Sequence, residues 1–308
     1  MEIAEKFDFP AILDADRTKT FKEDRELIYE FTLEKINCCG AVLLRGYDIA
    51  SVEEFSEVVA WFGKDLLDYK YGSTPRHSVS NGVYTSTEYP EDQEIVLHNE
   101  MAYTNLWPVY LWFYCEKPPH IGGETPIADS RKVLHSMPDY IKQEFIDKQL
   151  LYVRNYRPGV DVPWQDCFQT EDRDEVERYC IENGIEVIWK SDQELQTRQI
   201  CPAVVTHPIT KEAVWFNQAH LFHVSNLEAR FRVPMIKMFG EEGLPRNVYY
   251  GDGSTIDDQV IQEINRILVE NRIMFEWQRG DILMVDNLLC AHGRMPFQGE
   301  RKVRVCMA

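Results

Sequence analysis

Apolar positions change period along this chain. Within 24–35, Leu27, Ile28, Phe31 and Leu33 recur at roughly helical spacing, which predicts a helix. The run Gly40-Ala41-Val42-Leu43-Leu44-Arg45-Gly46-Tyr47 is apolar and bounded by glycines, so it reads as a buried strand. Ser51-Val52-Glu53-Glu54 has the form of a capping box and opens a helix expected to reach about Gly63. Beyond Gly82 strand signals dominate. Residues 83–87 alternate weakly, Ile95-Val96-Leu97 leads into His98, and the aromatic run 110–115 is broken by Pro118-Pro119. Segments 130–135 and 139–148 read as helical.

From 150 to 235 the pattern is least regular. An acidic helix over 171–180, a strand over 186–190, and a hairpin pairing 204–207 with 213–217 are expected there. The clearest amphipathic helix spans 255–272, with Ile256, Val260, Ile261, Ile264, Ile267 and Leu268 on one face. A turn at Arg279-Gly280-Asp281 precedes a strand over 282–285 that ends at Asp286-Asn287, and 301–307 forms the last strand. No Gly/Ser/Pro-rich linker flanks the middle segment. The expectation is one domain over 1–308, with 150–235 as an insertion packed on the core.

A chain of 308 residues is long enough to bury roughly three quarters of its unfolded surface. The eight cysteines are scattered with no C-x-x-C pair, so buried free thiols are expected rather than a zinc site or redox dithiol. No apolar run approaches a membrane span. The first ten residues carry Glu2, Glu5 and Asp8 where a signal peptide has basic and then apolar positions, so a cytoplasmic location is expected. The formal net charge of −18 argues against nucleic acid or an anionic membrane as partner.

The candidate chemistry lies in two separated pieces, His98-Asn99-Glu100 and His292. Two imidazoles and one carboxylate form a facial set of three ligands that leaves positions open on a metal, as in non-haem Fe(II) oxygenases. On a strand, His98 and Glu100 two apart would share a face. H-x-E alone is weak evidence, and its companions strengthen it. Thr125 follows the pair Gly122-Gly123, and Arg301 and Arg304 follow His292. An arginine fork suits a buried carboxylate because it bonds bidentately and stays charged.

With these motifs together, the chain resembles the Fe(II)/2-oxoglutarate-dependent dioxygenases of the taurine dioxygenase and clavaminate synthase superfamily. The likeness runs from about 40 to 305, through 40–47, 98–100, 122–129, 280–287 and 292–304. Segments 98–108 (HNEMAYTNLWP) and 215–223 (WFNQAHLFH) carry a closer similarity to syringomycin-type amino-acid hydroxylases of peptide natural-product pathways. The resemblance implies an α+β, mainly β fold: a double-stranded β-helix (jelly-roll) core with flanking helices and a lid-like insertion. It implies that His98, Glu100 and His292 bind Fe(II), and that Thr125 with Arg301 or Arg304 holds the distal carboxylate of 2-oxoglutarate. Strand parity places the two arginines on opposite faces, so one alone points inward. Arg301, directly after the Gly299-Glu300 turn, is preferred. The implied reaction consumes O2 and 2-oxoglutarate and hydroxylates an amino acid or amino-acid derivative, free or carried on a partner protein. Related halogenases lack the carboxylate ligand, so Glu100 disfavours halogenation, while desaturation, epoxidation and cyclisation stay open.

Glu94, Trp107 and Arg294 are candidate substrate residues, as are Asn81, Ser86 and Thr87 ahead of His98. Each has a plainer alternative: a solvated acid for Glu94, aromatic core packing for Trp107 and Tyr103, a pairing role for Arg294. His220 and His223, three apart, read as core or pocket histidines. His120, His135 and His207 read as surface or packing residues, and His77, near Arg76 and Ser78, ranks below the other substrate candidates. Two rival classes remain. A zinc hydrolase built on two histidines and a glutamate accepts the same ligands and has no need of Thr125 or Arg301. A metal-free jelly-roll binding protein tolerates loss of His98.

Overall fold

A computed structural model describes residues 9–16, 18–63, 66, 78–80, 83–85 and 89–308, with the backbone alone for 78–80. Its largest sheet has seven strands, in the order Ala11–Asp14, Ala41–Arg45, Ile282–Asp286, Tyr110–Lys117, Lys302–Met307, Val83–Thr85 and Ser78–Ser80. Only the first pair is parallel. Side chains alternate across this sheet with the period of two that the pleat imposes. Tyr110, Trp112, Tyr114, Ile282 and Met284 pack with Ile28, Ile36, Phe55 and Val58 of two helices, Arg25–Cys39 and Val52–Ala60. The opposite face, with Leu111, Phe113, Leu283, Val303 and Val305, joins the main core.

A three-stranded antiparallel sheet, ordered Ile95–His98, Cys290–Arg294 and Ile127–Asp129, contributes Leu97, Ile127 and Ala291 to that same core. The middle of the chain builds a four-stranded sheet in the order Glu186–Trp189, Leu195–Cys201, Leu150–Tyr156 and Arg246–Tyr250. The hairpin Val204–Thr206 with Ala213–Trp215 stands next to it in sequence.

Several expected elements shift. The first helix turns a different face inward: Ile28, Thr32, Ile36 and Cys39 are buried, whereas Leu27 and Leu33 are exposed. A stripe stepping by four and three residues selects Ile28 and rotates its apolar neighbours to solvent. The long amphipathic helix is Asp258–Glu270, because the Asp257 side chain accepts from Gln259 N and caps it there. Ile256 is still buried, from the preceding loop. The capping box is confirmed in part: Ser51 accepts from Glu54 N, but the Glu54 carboxylate reaches past it to Ala50 N. The helix Ala229–Phe239 escaped sequence reading because Pro234 lies inside it and none of its residues is buried. All eight cysteines are free. Among the described residues, no helix is long and apolar enough to cross a membrane.

Candidate metal centre and cosubstrate pocket

His98 ends its strand and pairs in register with His292 of the neighbouring strand. The two rings lie 4.7 Å apart, and His292 also packs 5.0 Å from the Phe113 ring. Gly293 permits this pairing, since a Cβ there would come within 2.5 Å of the Ile95 carbonyl. The nitrogen and oxygen ligand atoms of His98, Glu100 and His292 all lie within 4.8 Å of one another, the one such cluster of three among the described residues. His292 Nε2 and Glu100 Oε2 are 3.9 Å apart. His98 Nδ1 stands 2.9 Å from the Val96 carbonyl. A carbonyl only accepts, so Nδ1 carries the hydrogen and Nε2 of the neutral ring keeps the lone pair a metal needs. Mixed N/O donors of this kind fit a borderline metal such as Fe(II).

Glu100 does not share the strand with His98. It lies in the turn beyond it, so period-two alternation is not what brings the two side chains together. Asn287 does that work instead. Its Oδ1 accepts from Glu100 N at 2.7 Å, and its Nδ2 donates to Glu100 O at 2.9 Å.

One cavity joins His98 and His292 of the three-ligand cluster to Thr125 and Arg301, with Phe113, Val303 and Val305 as its apolar wall. Arg301 Nε donates to the Gly123 carbonyl at 2.9 Å, and its guanidinium reaches Thr125 Oγ1 at 3.5 Å. The glycine pair has a steric cause. A Cβ on Gly123 would approach Pro119, Phe297 and Arg301 side chains at 2.7 to 3.1 Å, and its φ is +71°. Burial, with Arg294 as a like charge nearby, pulls the Arg301 guanidinium down to about 10. It is still cationic at neutral pH, and an anion placed beside it relieves both effects.

Arg304 is not brought to the cavity. It lies on the opposite face of the strand and holds Glu116, with Nε to Oε2 at 2.7 Å. Arg301, Val303 and Val305 share the inner face. Arg294 lines this cavity too, while its guanidinium donates to the carbonyls of Tyr89, Pro90 and Gln93 at 2.6 to 3.0 Å. Trp107 packs against Phe216 with ring centroids 4.9 Å apart and lines no cavity of the site. Tyr103 is likewise core, stacked near Phe222. Glu94 does face a second cavity, which shares His98 with the first and includes Glu100, Gln218, Phe222 and Arg246; there it pairs with Arg272 at 3.4 Å. His77, Asn81, Ser86 and Thr87 lie outside the described residues.

Sequence reading missed four supports. Trp277 Nε1 donates to Thr125 Oγ1 at 3.0 Å and orients the hydroxyl. Gln218 Nε2 donates to Asn99 O at 2.7 Å. Asn287 and the buried pair of His207 with Asp286 complete the set. The Asp286-Asn287 step was legible as a strand end, but nothing local connects it to Glu100.

His220 and His223 are structural. His223 contacts Ser225 and the Ile256 carbonyl, and His220 Nε2 lies 2.8 Å from the Leu97 carbonyl. Burial pulls the His220 imidazole down to about 4, with His98 nearby acting in the same direction. The folded protein therefore holds this ring neutral, while the unfolded chain protonates it below its ordinary 6.5. The resulting stability is full above pH 6.5 and is lost as pH falls toward 4, by about 3 kcal/mol. His220→Gln keeps a donor for Leu97 O, so its stability should fall less between pH 7 and 5 in urea titrations. An unchanged pH slope would contradict this.

Two histidines and a carboxylate, set beside a buried arginine and threonine, have the donor chemistry that suits an oxygenase-type metal site next to an anion. The family model "Taurine catabolism dioxygenase TauD, TfdA family" matches residues 4–307. The dapdiamide synthesis protein DdaC of Enterobacter agglomerans is 44% identical over 268 residues, which are 87% of this chain and 82% of that protein. A clavaminate synthase-like protein of Arabidopsis thaliana is 33% identical over 298 residues, 93% of this chain and 85% of its own length. Among solved structures, PvcB of Pseudomonas aeruginosa shares the fold with a TM-score of 0.56 at 15% identity, over 96% of this chain and 84% of that one. A second PvcB structure describes that protein as an Fe, alpha-ketoglutarate dependent oxygenase from an isonitrile synthetic pathway. The chain belongs to the TauD/TfdA family. It is an Fe(II)- and 2-oxoglutarate-dependent dioxygenase.

Proposed function

We propose that this enzyme hydroxylates an amino acid or amino-acid derivative, free or carrier-tethered, in a biosynthetic pathway. His98, Glu100 and His292 hold Fe(II), and Thr125 and Arg301 hold the distal carboxylate of 2-oxoglutarate. The observation that carries this reading is the shared cavity: His98 and His292 of the three-ligand cluster and the Arg301–Thr125 pair open into one space. When bound, Fe(II) supplies O2 activation coupled to decarboxylation of 2-oxoglutarate, with one oxygen atom going to succinate and the other to the substrate. The chain's own part is to orient and enclose. Phe113, Val303 and Val305 exclude water from the cosubstrate, and Trp277 fixes the Thr125 hydroxyl as a donor.

The second cavity, reaching His98 and Glu100 from the other side, is the substrate pocket in this reading, with Glu94 at its edge for an ammonium group. The relative named for dapdiamide synthesis supports a biosynthetic role. The two facing sheets are taken as a double-stranded β-helix (jelly-roll) core. The segment 150–235 is its lid-like insertion within a single domain, and the enzyme works in the cytoplasm. The test is succinate release with Fe(II), ascorbate and 2-oxoglutarate against a panel of amino acids and carrier-bound aminoacyl groups. A member of the panel should raise turnover well above the uncoupled rate. If none does, the amino-acid assignment fails; if anaerobic Fe(II) and 2-oxoglutarate give no visible charge-transfer band, the cofactor-site assignment fails as well.

A further inference from the structure

Glu100 lies beyond the end of its strand's ladder. The ladder of the Ile95–His98 strand ends at His98, and Met101, immediately after Glu100, has φ +55°. A non-glycine residue in the left-handed region costs on the order of 1 kcal/mol, so local preference opposes this turn. Asn287 replaces the missing strand partner. Its side-chain amide accepts from Glu100 N and donates to Glu100 O, as an antiparallel neighbour would, and also donates to Pro108 O at 2.9 Å. Its backbone is engaged too: the carbonyl accepts from Asn99 Nδ2 at 2.6 Å, and the N–H donates to Val109 O at 2.9 Å. Asn287 is fully buried.

The turn that carries Asn287 is fastened from behind. Asp286 Oδ1 accepts from Leu288 N and Leu289 N at 2.9 and 3.1 Å. Its Oδ2 lies 3.0 Å from His207 Nε2. His207 Nδ1 accepts from Thr210 N at 3.0 Å, so the ring hydrogen sits on Nε2 and is donated to Asp286. Thr210 belongs to the turn joining Val204–Thr206 to Ala213–Trp215, in the middle segment of the chain. A hairpin outside both site-bearing sheets is thereby tied to the carboxylate of the three-ligand cluster.

We propose that Asn287 is a positioning residue for Glu100, and that His207 and Asp286 hold Asn287 in place. The inference rests on reading the cluster as the iron site. Asn287 is not one of the three clustered ligand residues, so its effect on metal affinity passes through Glu100. Supports of this kind are worth 10–100-fold in metal affinity.

The test is a double-mutant cycle on Fe(II) affinity, read anaerobically from the visible band with saturating 2-oxoglutarate. Asn287→Ala in the otherwise intact enzyme should weaken Fe(II) binding about 10- to 100-fold. In a Glu100→Ala background the same substitution should cause no further loss. A role confined to general stability would weaken binding equally in both backgrounds, and that result overturns the proposal, as does unchanged affinity in the intact enzyme. Should Asn287→Ala not fold, the cycle runs with His207→Leu under the same criterion, and His207→Gln, which keeps an N–H donor, should recover affinity. Intact enzyme that takes up no Fe(II) sinks the iron-site reading and this inference together. Uptake with additive losses sinks this inference alone.

Discussion

Replacing His292 with alanine should abolish anaerobic Fe(II) uptake and lower 2-oxoglutarate turnover by on the order of a thousandfold or more, the equivalent of the several kcal/mol a bound metal contributes. His292 is 5% exposed, paired in register with His98 on one side and Ile127 on the other. Its neighbours are held by the strand ladder and cannot swing another nitrogen into its place. Removing a ring packed on Phe113 also leaves a cavity, worth about 2–4 kcal/mol of stability. His292→Gln, closer in volume, separates the two effects. It should melt near the parent protein and still fail to bind Fe(II) tightly. Stoichiometric uptake with unchanged affinity in either variant would rule His292 out as a ligand, whereas no uptake by the parent protein would favour a metal-free binding protein.

The second large effect falls on the cosubstrate. Arg301→Ala should raise the 2-oxoglutarate concentration needed for half-saturation by about 10²–10³-fold, because a buried charge-assisted pair to a carboxylate is worth about 3–5 kcal/mol. Arg301→Lys should fall between, since an ammonium keeps the charge and loses the fork. Arg304→Ala should stay within about twofold of the parent, its guanidinium being committed to Glu116 on the opposite face. Titration of the visible band with 2-oxoglutarate reads all three. Equal losses at 301 and 304 would contradict the assignment of faces, and indifference at both would favour the zinc hydrolase.

The anatomy of the site shows why some of it was readable in advance. A metal-ligand set at His98, Glu100 and His292 was suggested by residue type, and the Gly122-Gly123-Glu124-Thr125 run advertises a tight backbone approach. Trp107 and Arg294 looked equally chemical, yet Trp107 lies in the packing, and Arg294 lines the first cavity with its guanidinium committed to backbone. Trp107 has Phe216 beside it, and Arg294 has three carbonyls of the 89–93 loop. An aromatic or a guanidinium carries no local mark that tells a packing role from a functional one. The strand Leu150–Tyr156 was hidden for a similar reason. Every residue of that strand is buried, so alternation gives no period to detect.

Residue chemistry and local period, which the chain carries in itself, pointed to the candidate ligands, the arginine and threonine proposed to bind an anion, and most elements of the two facing sheets. Period two also established that Arg301 and Arg304 face opposite ways. Only the tertiary structure decided which of them faces His292, that Glu100 is held by a turn rather than a strand, and that Asn287, 187 positions away, supplies its partner. The physical reason is range. Pleat and helix repeat act over a few residues, whereas the hydrogen bonds that seat Glu100 form only after the strands ending at His98, Asp286 and Arg294 have been brought together by a common core.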